Sequence, residues 1–397
     1  MKIAVMGYGT IGSGVVEVLE VNKDLIAARA GEPIEVKYIL DLRDFPGDPY
    51  EDKIVHDYQT IVQDEEIGIV VEAMGGVEPA FTFVKAMLEA GKQVATSNKN
   101  LVAAKGAELL KLAKERNLNF TFEASVGGGI PIIRPLNNCL TPEKIEEITG
   151  ILNGTTNYML TRMANEGVSF EEVLKDAQAK GYAEADPTAD VEGFDPCRKI
   201  AILTSLVCGK QVDYEEIYTE GITKITSEDF AYAKAMGCSI KLLASSKCVG
   251  DKYRCMVAPF MLSQSHPLCG VNDVFNAVFV HGNMLGDAMF YGSGAGKLPT
   301  ASAVVADIVD MTKNAGKNIP VEWSEDKMEL IDYKESENCF FVRTTSDKSV
   351  IESAFGSVGY VEAVVEGEIG FTTSTMTEAE FANKAQQIAV VNRIRLG

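Results

Sequence analysis

The sequence predicts an α/β protein in three parts: a doubly wound N-terminal domain, an α+β middle domain with an open sheet, and a small C-terminal α/β appendage. Three observations carry that prediction. Short apolar strand patterns alternate with helical ones through the first 140 residues, the order of a parallel sheet with helices on its faces. From about Lys144 the order changes to a long strand, several helices and then a run of strands. Beyond a linker at 319–336, residues 337–397 read as a short strand–helix–strand–strand tail, marginal as an independent core.

Length and composition set the class. A chain of 397 residues divides into two or three domains, and 46% hydrophobic with 24% charged residues is ordinary for a soluble globular protein. No apolar run reaches the ~18 residues of a membrane span. The N-terminus enters a strand directly, with no signal-peptide pattern. Eight cysteines without any Cys-x-x-Cys pair speak against a zinc site and a disulfide framework, and for a reducing cytoplasm. A formal charge of −20 repels nucleic-acid phosphates and anionic lipid, which sets both partners aside. His56, His266 and His281 stand outside every motif below, so structural or surface roles suit them.

Taken in order, residues 2–6 form an apolar strand, followed by Gly7-Tyr-Gly9-Thr-Ile-Gly12 and a helical run at 15–19. Strand, Gly-x-Gly-x-x-Gly, helix is the dinucleotide-binding arrangement, so the first domain reads as Rossmann-type. Gly7 permits the tight turn, Gly9 admits backbone N–H groups to a pyrophosphate, and Gly12 lets helix and strand pack closely. Thr10 and Ile11 lie between them at the helix N-terminus, which favours phosphate. Residues 35–41 form the second strand. Asp41 sits where an acid accepts from a ribose hydroxyl, which favours NAD; Arg43 suits a 2′-phosphate, which favours NADP. The two signals conflict.

Residues 44–52 are a turn-rich loop. A strand at 67–73 ends in Met74-Gly75-Gly76, a helix at 78–90 is closed by Gly91, and a strand at 93–97 carries Thr96 at its cofactor-facing end. Lys99 follows at a helix start, where the dipole disfavours a cation, so reach into the cleft is the better reason for it. A strand at 118–123 leads to Val126-Gly-Gly128-Gly-Ile130. Two readings stand there: Glu123 and exposed backbone oxygens holding a hard monovalent cation, or a loop that lets a helix approach closely.

In the middle domain, 144–152 reads as a strand and Asn153-Gly-Thr-Thr-Asn157 opens a helix. Further helices fit 170–180 and 196–208, and strands fit 239–249, 253–262 and 277–281. Gly292-Ser-Gly294-Ala-Gly296-Lys-Leu-Pro-Thr300 lacks the spacing of a phosphate-binding Walker loop. It opens a helix to about Asn314 that returns to the first domain, bringing Gly294 and Gly296 to the cofactor's other end.

Between those helices lies the polar stretch from Gly181 to Lys199. Five carboxylates (Glu184, Asp186, Asp190, Glu192, Asp195) precede an apolar helix. Asp195-Pro196 reads as a cap and first helical position, with Lys199 one turn on. A solvated cap with a surface ion pair is the bland reading, worth a few tenths of a kcal/mol. The density of acids beside a lysine on an apolar floor instead suggests a small polar pocket.

With these residues in place, the chain from Met1 to about Lys317 resembles the homoserine dehydrogenase family. Six motifs carry the resemblance in family order: the Gly7 glycine run, Ser97-Asn-Lys99, Glu123-Ala-Ser-Val-Gly-Gly-Gly-Ile-Pro, Asn153-Gly-Thr-Thr-Asn, Gly181-Tyr-Ala-Glu-Ala-Asp-Pro and Gly292-Ser-Gly-Ala-Gly-Lys-Leu-Pro-Thr-Ala. The resemblance implies interconversion of L-homoserine and L-aspartate 4-semialdehyde with NAD or NADP, on the aspartate route to threonine, methionine and isoleucine. It implies Lys199 as the acid/base lysine, Lys99 as a second active-site lysine, and Glu184 and Asp195, with Asp190, as substrate-binding. Glu123 with Val126, Gly128 and Ile130 matches a sodium site; Gly181 and the Gly294–Gly296 loop match cofactor contacts. A dimer through the middle domain is also implied, with a domain order of 1–140 plus 295–318, 141–294 and 337–397. Many members carry a C-terminal ACT-type domain that senses threonine. Here the tail has an ACT-like beginning but is short, and Thr345-Ser-Asp-Lys replaces the Asp-x-Pro-Gly turn.

For this chemistry a lysine base needs its pKa of ~10.4 lowered by desolvation or a nearby cation. Asp195 in close contact would oppose that, so it is assigned to the substrate ammonium together with Glu184. Two other readings compete. A cysteine-dependent aldehyde dehydrogenase would use Cys197, although no histidine accompanies it. A non-catalytic nucleotide-binding sensor would use the tail to read a metabolite.

Overall fold

Strand β1 (Lys2–Met6) anchors a six-stranded parallel sheet. After it come α1 (Thr10–Val21), α2 (Lys23–Ala30), β2 (Glu35–Leu40), β3 (Ile54–Val55), α3 (Gln59–Gln63), β4 (Ile67–Glu72), α4 (Ala80–Glu89), β5 (Gln93–Thr96), α5 (Lys99–Glu115) and β6 (Phe120–Thr121). The strand order is β3-β2-β1-β4-β5-β6, every pair parallel. Order reverses between β1 and β4, which opens a crevice beyond their carboxyl ends. Residues 3–6 and 69–71 are fully buried, as a sheet covered on both faces requires. The strand expected at 118–123 is shorter than read. Ser125 turns its N–H and hydroxyl back to the Phe122 carbonyl, at 2.9 and 2.6 Å, and closes a 3₁₀ turn at Glu123–Ser125.

The structure is a computed structural model that describes residues 1–361 and 364–397. It divides into two compact units: Met1–Glu143 with Ala201–Asp213 and Gly292–Met328, and Lys144–Ile200 with Tyr214–Tyr291 and Glu329–Gly397. The second begins with β7 (Ile145–Ile151), α6 (Gly154–Glu166), α7 (Phe170–Ala179), α8 (Thr188–Val191) and the start of α9 (Phe194–Cys208), whose residues from Ala201 on count with the first unit. After the two-residue β8 (Lys210–Gln211) of the first unit, the second continues with β9 (Tyr218–Thr219), α10 (Ser227–Ala235), β10 (Cys238–Val249), β11 (Lys252–Ser263), β12 (Phe275–Gly282) and β13 (Gly286–Ser293), whose last two residues count with the first unit. Helix α6 starts on the side chain of Asn153, and α7 on that of Ser169. Helix α9 starts at Phe194, two residues earlier than Asp195-Pro196 suggested. Asp195 lies inside the first turn, its carboxylate held by Asn153 from outside the helix and by Lys199 one turn on.

α11 (Lys297–Lys313) returns to the first unit, where Ala301, Val304 and Ile308 share a core with Val5, Val15 and Ile69. β14 (Ser324–Lys327), in the expected linker, pairs with β8, so 319–336 is not structureless. The tail then runs β15 (Glu337–Thr344), α12 (Lys348–Phe355), β16 (Gly359–Val361), β17 (Ile369–Thr372), β18 (Met376–Thr377), α13 (Glu378–Ala385) and β19 (Val390–Leu396). Its main strands stand in the order β19-β15-β17-β16, a split βαβ arrangement of ferredoxin type. The tail is not a separate appendage. β19 pairs in parallel with β11 through Phe260–Arg395 and Met261–Leu396, fusing both sheets as β13-β12-β7-β10-β11-β19-β15-β17-β16.

A buried lysine sits in this sheet. Lys241 on β10 is 2% exposed, and its ammonium donates to the Val271 carbonyl, to Asn272 at 2.9 Å and to Asn157 at 3.4 Å. Burial pulls its pKa down to about 8, against small opposing effects of Cys269 and Asp273. Folded below unfolded, a lysine makes the unfolded chain bind more protons between pH ~8 and ~10.4, so stability rises with pH across that window. Relative to Lys241→Met, the native protein should gain about 2 kcal/mol of unfolding free energy between roughly pH 7.5 and 9.5. Urea titrations at the two pH values check this; parallel changes in both proteins would contradict it.

Candidate active site

In the first unit the glycine run does steric work at the crevice. Gly7 adopts φ +94°, and a Cβ there would lie 2.8 Å from the Ala73 carbonyl oxygen. A Cβ on Gly12 would lie 1.8 Å from the Gly7 oxygen, so only glycine lets α1 approach β1 this closely. Gly9 differs: nothing lies within 4 Å of its Cβ position, and it borders a cleft of about 520 Å³ lined also by Gly7, Asp41, Arg43, Met74 and Gly75. Thr10 and Ile11 open α1, whose first N–H groups supply the positive end of the helix.

Asp41 and Arg43, which conflicted in the sequence, form one ion pair. Asp41 Oδ1 accepts from Arg43 N–H at 3.1 Å and Nε at 2.9 Å; Oδ2 accepts from Tyr8 N–H at 2.9 Å and Arg43 Nη2 at 3.0 Å. The guanidinium and these amides hold the Asp41 carboxyl well below the usual carboxylate range, against a partial desolvation. Beneath the cleft, buried Glu72 accepts from Met74 N–H at 2.8 Å, Gly75 N–H at 3.2 Å and the Thr96 hydroxyl at 2.5 Å. Burial pushes the Glu72 carboxyl up, and these donors oppose it. Thr96 therefore spends its hydroxyl on the floor of the cleft. Lys99 is the first residue of α5, after Asn98, whose side chain caps the helix by accepting from Leu101 N–H at 3.1 Å.

The glycine triplet is a close-approach loop. A Cβ on Gly128 would meet the Gly294 carbonyl at 2.4 Å, one on Gly129 would meet Pro299 at 2.8 Å, and Gly129 N–H donates to Ser293 at 3.1 Å. Gly296, φ +119°, caps α11. The Glu123 carboxylate accepts from the N–H groups of Ile132, Ile133 and Arg134 at 2.6, 2.9 and 2.7 Å, and from Arg134 Nε at 3.1 Å. Four donors occupy its lone pairs, so the carboxylate does not fit the cation-ligand role expected of it. Arg134 also reaches Asp310 at 3.1 Å and Asp307 at 3.5 Å; burial pushes the Asp307 carboxyl up to about 8 although Arg134 opposes it. Among the described residues no group of three or more His, Cys, Asp or Glu side chains is arranged to hold a metal ion.

In the second unit the acidic stretch folds around Asn153. This residue caps α6, its Oδ1 accepting from Thr156 N–H at 2.9 Å, while its Nδ2 donates to Asp190 at 2.7 Å and Asp195 at 2.9 Å. Asp195 Oδ2 also accepts from Lys199 at 2.7 Å, and the same ammonium donates to the Leu152 carbonyl at 2.7 Å. The pair is buried, not the solvated surface bridge of the bland reading. Asp195 also does not stand apart from Lys199, as the pKa argument had required. Glu184 lies on an exposed loop after Gly181, φ +73°, and the Thr155 hydroxyl ties that loop to α6 through the Tyr182 carbonyl at 2.6 Å. Asn153 is the residue that sequence reasoning missed as part of the site. Its signal was an Asn at a strand-to-helix junction, a cap with a second amide atom to spare.

Cys197 is buried with its thiol on the Tyr214 carbonyl at 3.3 Å, and burial pushes the thiol up. His56 engages Asp41 and Asp44, His266 accepts from Leu268 N–H, and His281 pairs with Asp287. A raised, histidine-less thiol is not an activated nucleophile.

The comparisons with known proteins agree with this geometry. The family described as "Homoserine dehydrogenase, NAD binding domain" matches residues 7–123, and "Homoserine dehydrogenase" matches residues 131–309. Homoserine dehydrogenase of Bacillus subtilis is 42% identical over 321 residues, 79% of this chain and 73% of the relative. That of Synechocystis is 44% identical over 318 residues, 78% and 73%. A homoserine dehydrogenase from Thiobacillus denitrificans superposes with TM-score 0.91 at 34% identity, covering 100% of this chain and 98% of the other. A hyperthermophilic archaeal homoserine dehydrogenase in complex with NADPH gives 0.67 at 29% identity, covering 79% and 98%. Among the described residues no helix is long and apolar enough to cross a membrane. The chain belongs to the homoserine dehydrogenase family, NAD(P)-dependent oxidoreductases that interconvert L-homoserine and L-aspartate 4-semialdehyde on the route to threonine, methionine and isoleucine.

Proposed function

We propose that Lys199 exchanges the proton on the substrate's C4 oxygen, that Asp195 orients it, and that Lys99 is the second active-site lysine. The supporting observation is the Lys199 ammonium held at 2.7 Å by both Asp195 and the Leu152 carbonyl. These two acceptors fix where the ammonium sits, one turn after Asp195 on α9. NAD(P), held at the Gly7–Gly12 turn and the α1 N-terminus, would supply or accept the hydride at the substrate's C4. In reduction the Lys199 ammonium gives its proton to the aldehyde oxygen; in oxidation a neutral Lys199 takes the hydroxyl proton. Glu184 and Asp190 take the substrate ammonium by charge-assisted hydrogen bonds. Alanine substitution at Lys199 tests the assignment.

NADP is the preferred cofactor in this reading, and Arg43 the residue that selects it. The four acceptor positions of Asp41 are filled by Tyr8 and Arg43, so a ribose hydroxyl gains little from it, while Asp41 aims the remaining guanidinium N–H groups. Arg43→Ala should lower kcat/KM for NADP+ about ten-fold or more and change that for NAD+ by less than about two-fold, the effect of one charge-assisted phosphate contact. Equal losses with both cofactors would contradict the assignment.

A monovalent cation at the 123–130 loop would be held by the main-chain oxygens of Val126, Gly128 and Ile130, with the Glu123 carboxylate organising the turn behind them. No step is routed through it. A homodimer is supported by exposed Met284, Leu285, Met289 and Tyr291 along the edge hairpin β12–β13. Sedimentation velocity tests it, a monomer at micromolar concentration being the contrary result. Eight cysteines without a Cys-x-x-Cys pair support a cytoplasmic location.

A further inference from the structure

We infer that the C-terminal strand braces the substrate loop, with Glu220 as the positioning residue between them. Arg393 on β19 donates from Nη1 to both oxygens of Glu220 at 3.0 Å, and Arg395 donates from its own Nη1 to Oε2 at 2.8 Å. The Tyr218 hydroxyl adds a bond to the same oxygen at 3.0 Å. Arg395 is fully buried, and its remaining edge is held by Glu378 of α13 at 2.6 and 3.0 Å. The tail thus fixes the Arg395 guanidinium that it presents to Glu220, and charge-assisted forks of this kind set direction as well as distance.

Glu220 transmits this to the loop through its neighbours. Its N–H donates to Val257 of β11 at 2.8 Å, continuing the β9–β11 pairing. A Cβ on the next residue, Gly221, would lie 2.0 Å from the Val191 oxygen and 2.5 Å from Glu192 Cα, so backbone lies directly on backbone. Ile222 N–H then donates to the Val191 carbonyl at 2.8 Å. On the other side, a Cβ on Gly193, φ +83°, would meet Thr219 and Val257 side chains at 3.1 and 3.2 Å. Residues 191–194 join Asp190 to Asp195, the two carboxylates that share Asn153. The segment at 218–222 therefore backs the piece of chain that follows Asp190, while Asp195 keeps its own partners, Asn153 and Lys199, and the tail holds that segment. Displacements near 1 Å at such groups are large for substrate positioning.

The inference rests on the reading that residues 184–195 hold the substrate, so its test includes that reading. In the full-length chain, Glu220→Gln and Gly221→Ala should each raise the homoserine KM about ten-fold, with kcat within about three-fold and the NADP+ KM within about two-fold, the pattern of lost substrate binding. Asp190→Asn measures the loop directly. A raised homoserine KM in Asp190→Asn with unchanged values in both brace variants would overturn the brace alone. An unchanged homoserine KM in Asp190→Asn would remove the substrate-loop reading and the brace with it. If all three kinetic parameters moved together in the brace variants, their role would be merely structural and the proposal would fail. Should Gly221→Ala not fold, Glu220→Gln decides.

Discussion

Lys199→Ala is expected to lower kcat by about 10²–10⁴-fold in both directions, the range for loss of a positioned general acid–base group. The substitution also strips Asp195 of a buried cation. An uncompensated buried carboxylate costs about 3–5 kcal/mol, so some instability is expected as well. Lys199→Arg separates the two effects. Arginine keeps a positive charge beside Asp195, yet does not deprotonate in proteins, so the fold should survive while homoserine oxidation still falls at least about 10²-fold. Retention of near-native oxidation in Lys199→Arg, with thermal stability unchanged, would remove Lys199 from proton transfer.

Gly12→Ala should be comparably severe for a different reason. Its Cβ would stand 1.8 Å from the Gly7 oxygen and 3.2 Å from Val5, both part of the packed β1–α1 junction. Helix α1 has to move off the strand, and its N-terminus moves with it. Overpacking of this kind costs about 1–3 kcal/mol of stability, and the cofactor phosphate loses its aligned N–H donors. A fall of about 10²-fold in kcat/KM for NADP+, with a lowered melting temperature, is the expected result. Gly9→Ala is the contrast. Its backbone is extended at φ −80° and its Cβ position is open, so stability should hold while cofactor affinity drops about ten-fold as the methyl enters the cleft. Equal loss of stability in both variants would contradict the steric account.

Much of this is legible in the sequence. The parallel sheet announced itself because doubly buried strands are continuous apolar runs, and the glycine run is diagnostic in its position after one of them. What escaped was set by distant pairings. Asp195-Pro196 carries the composition of a helix cap, but Asp195 answers to Asn153 and Lys199, and no local rule weighs a partner 42 residues away. Glu123 looked like a cation ligand because nothing local shows that its oxygens meet amides nine to eleven residues onward. The last strand was hidden by Arg393 and Arg395, charged residues in a segment whose core role depends on Glu220 and Glu378. Helix α13 had a readable signal, the capping box of Thr377 and Glu380, which the short tail obscured.

The central claim is that one buried ammonium, aimed by Asp195, moves the proton on the substrate oxygen. The direct measurement is turnover of Lys199→Ala at saturating homoserine and NADP+ with small primary amines added. The account predicts a rate that rises with the concentration of free amine base, because the amine replaces the missing group. A residual rate indifferent to amine, in a variant that still binds both ligands, would contradict it.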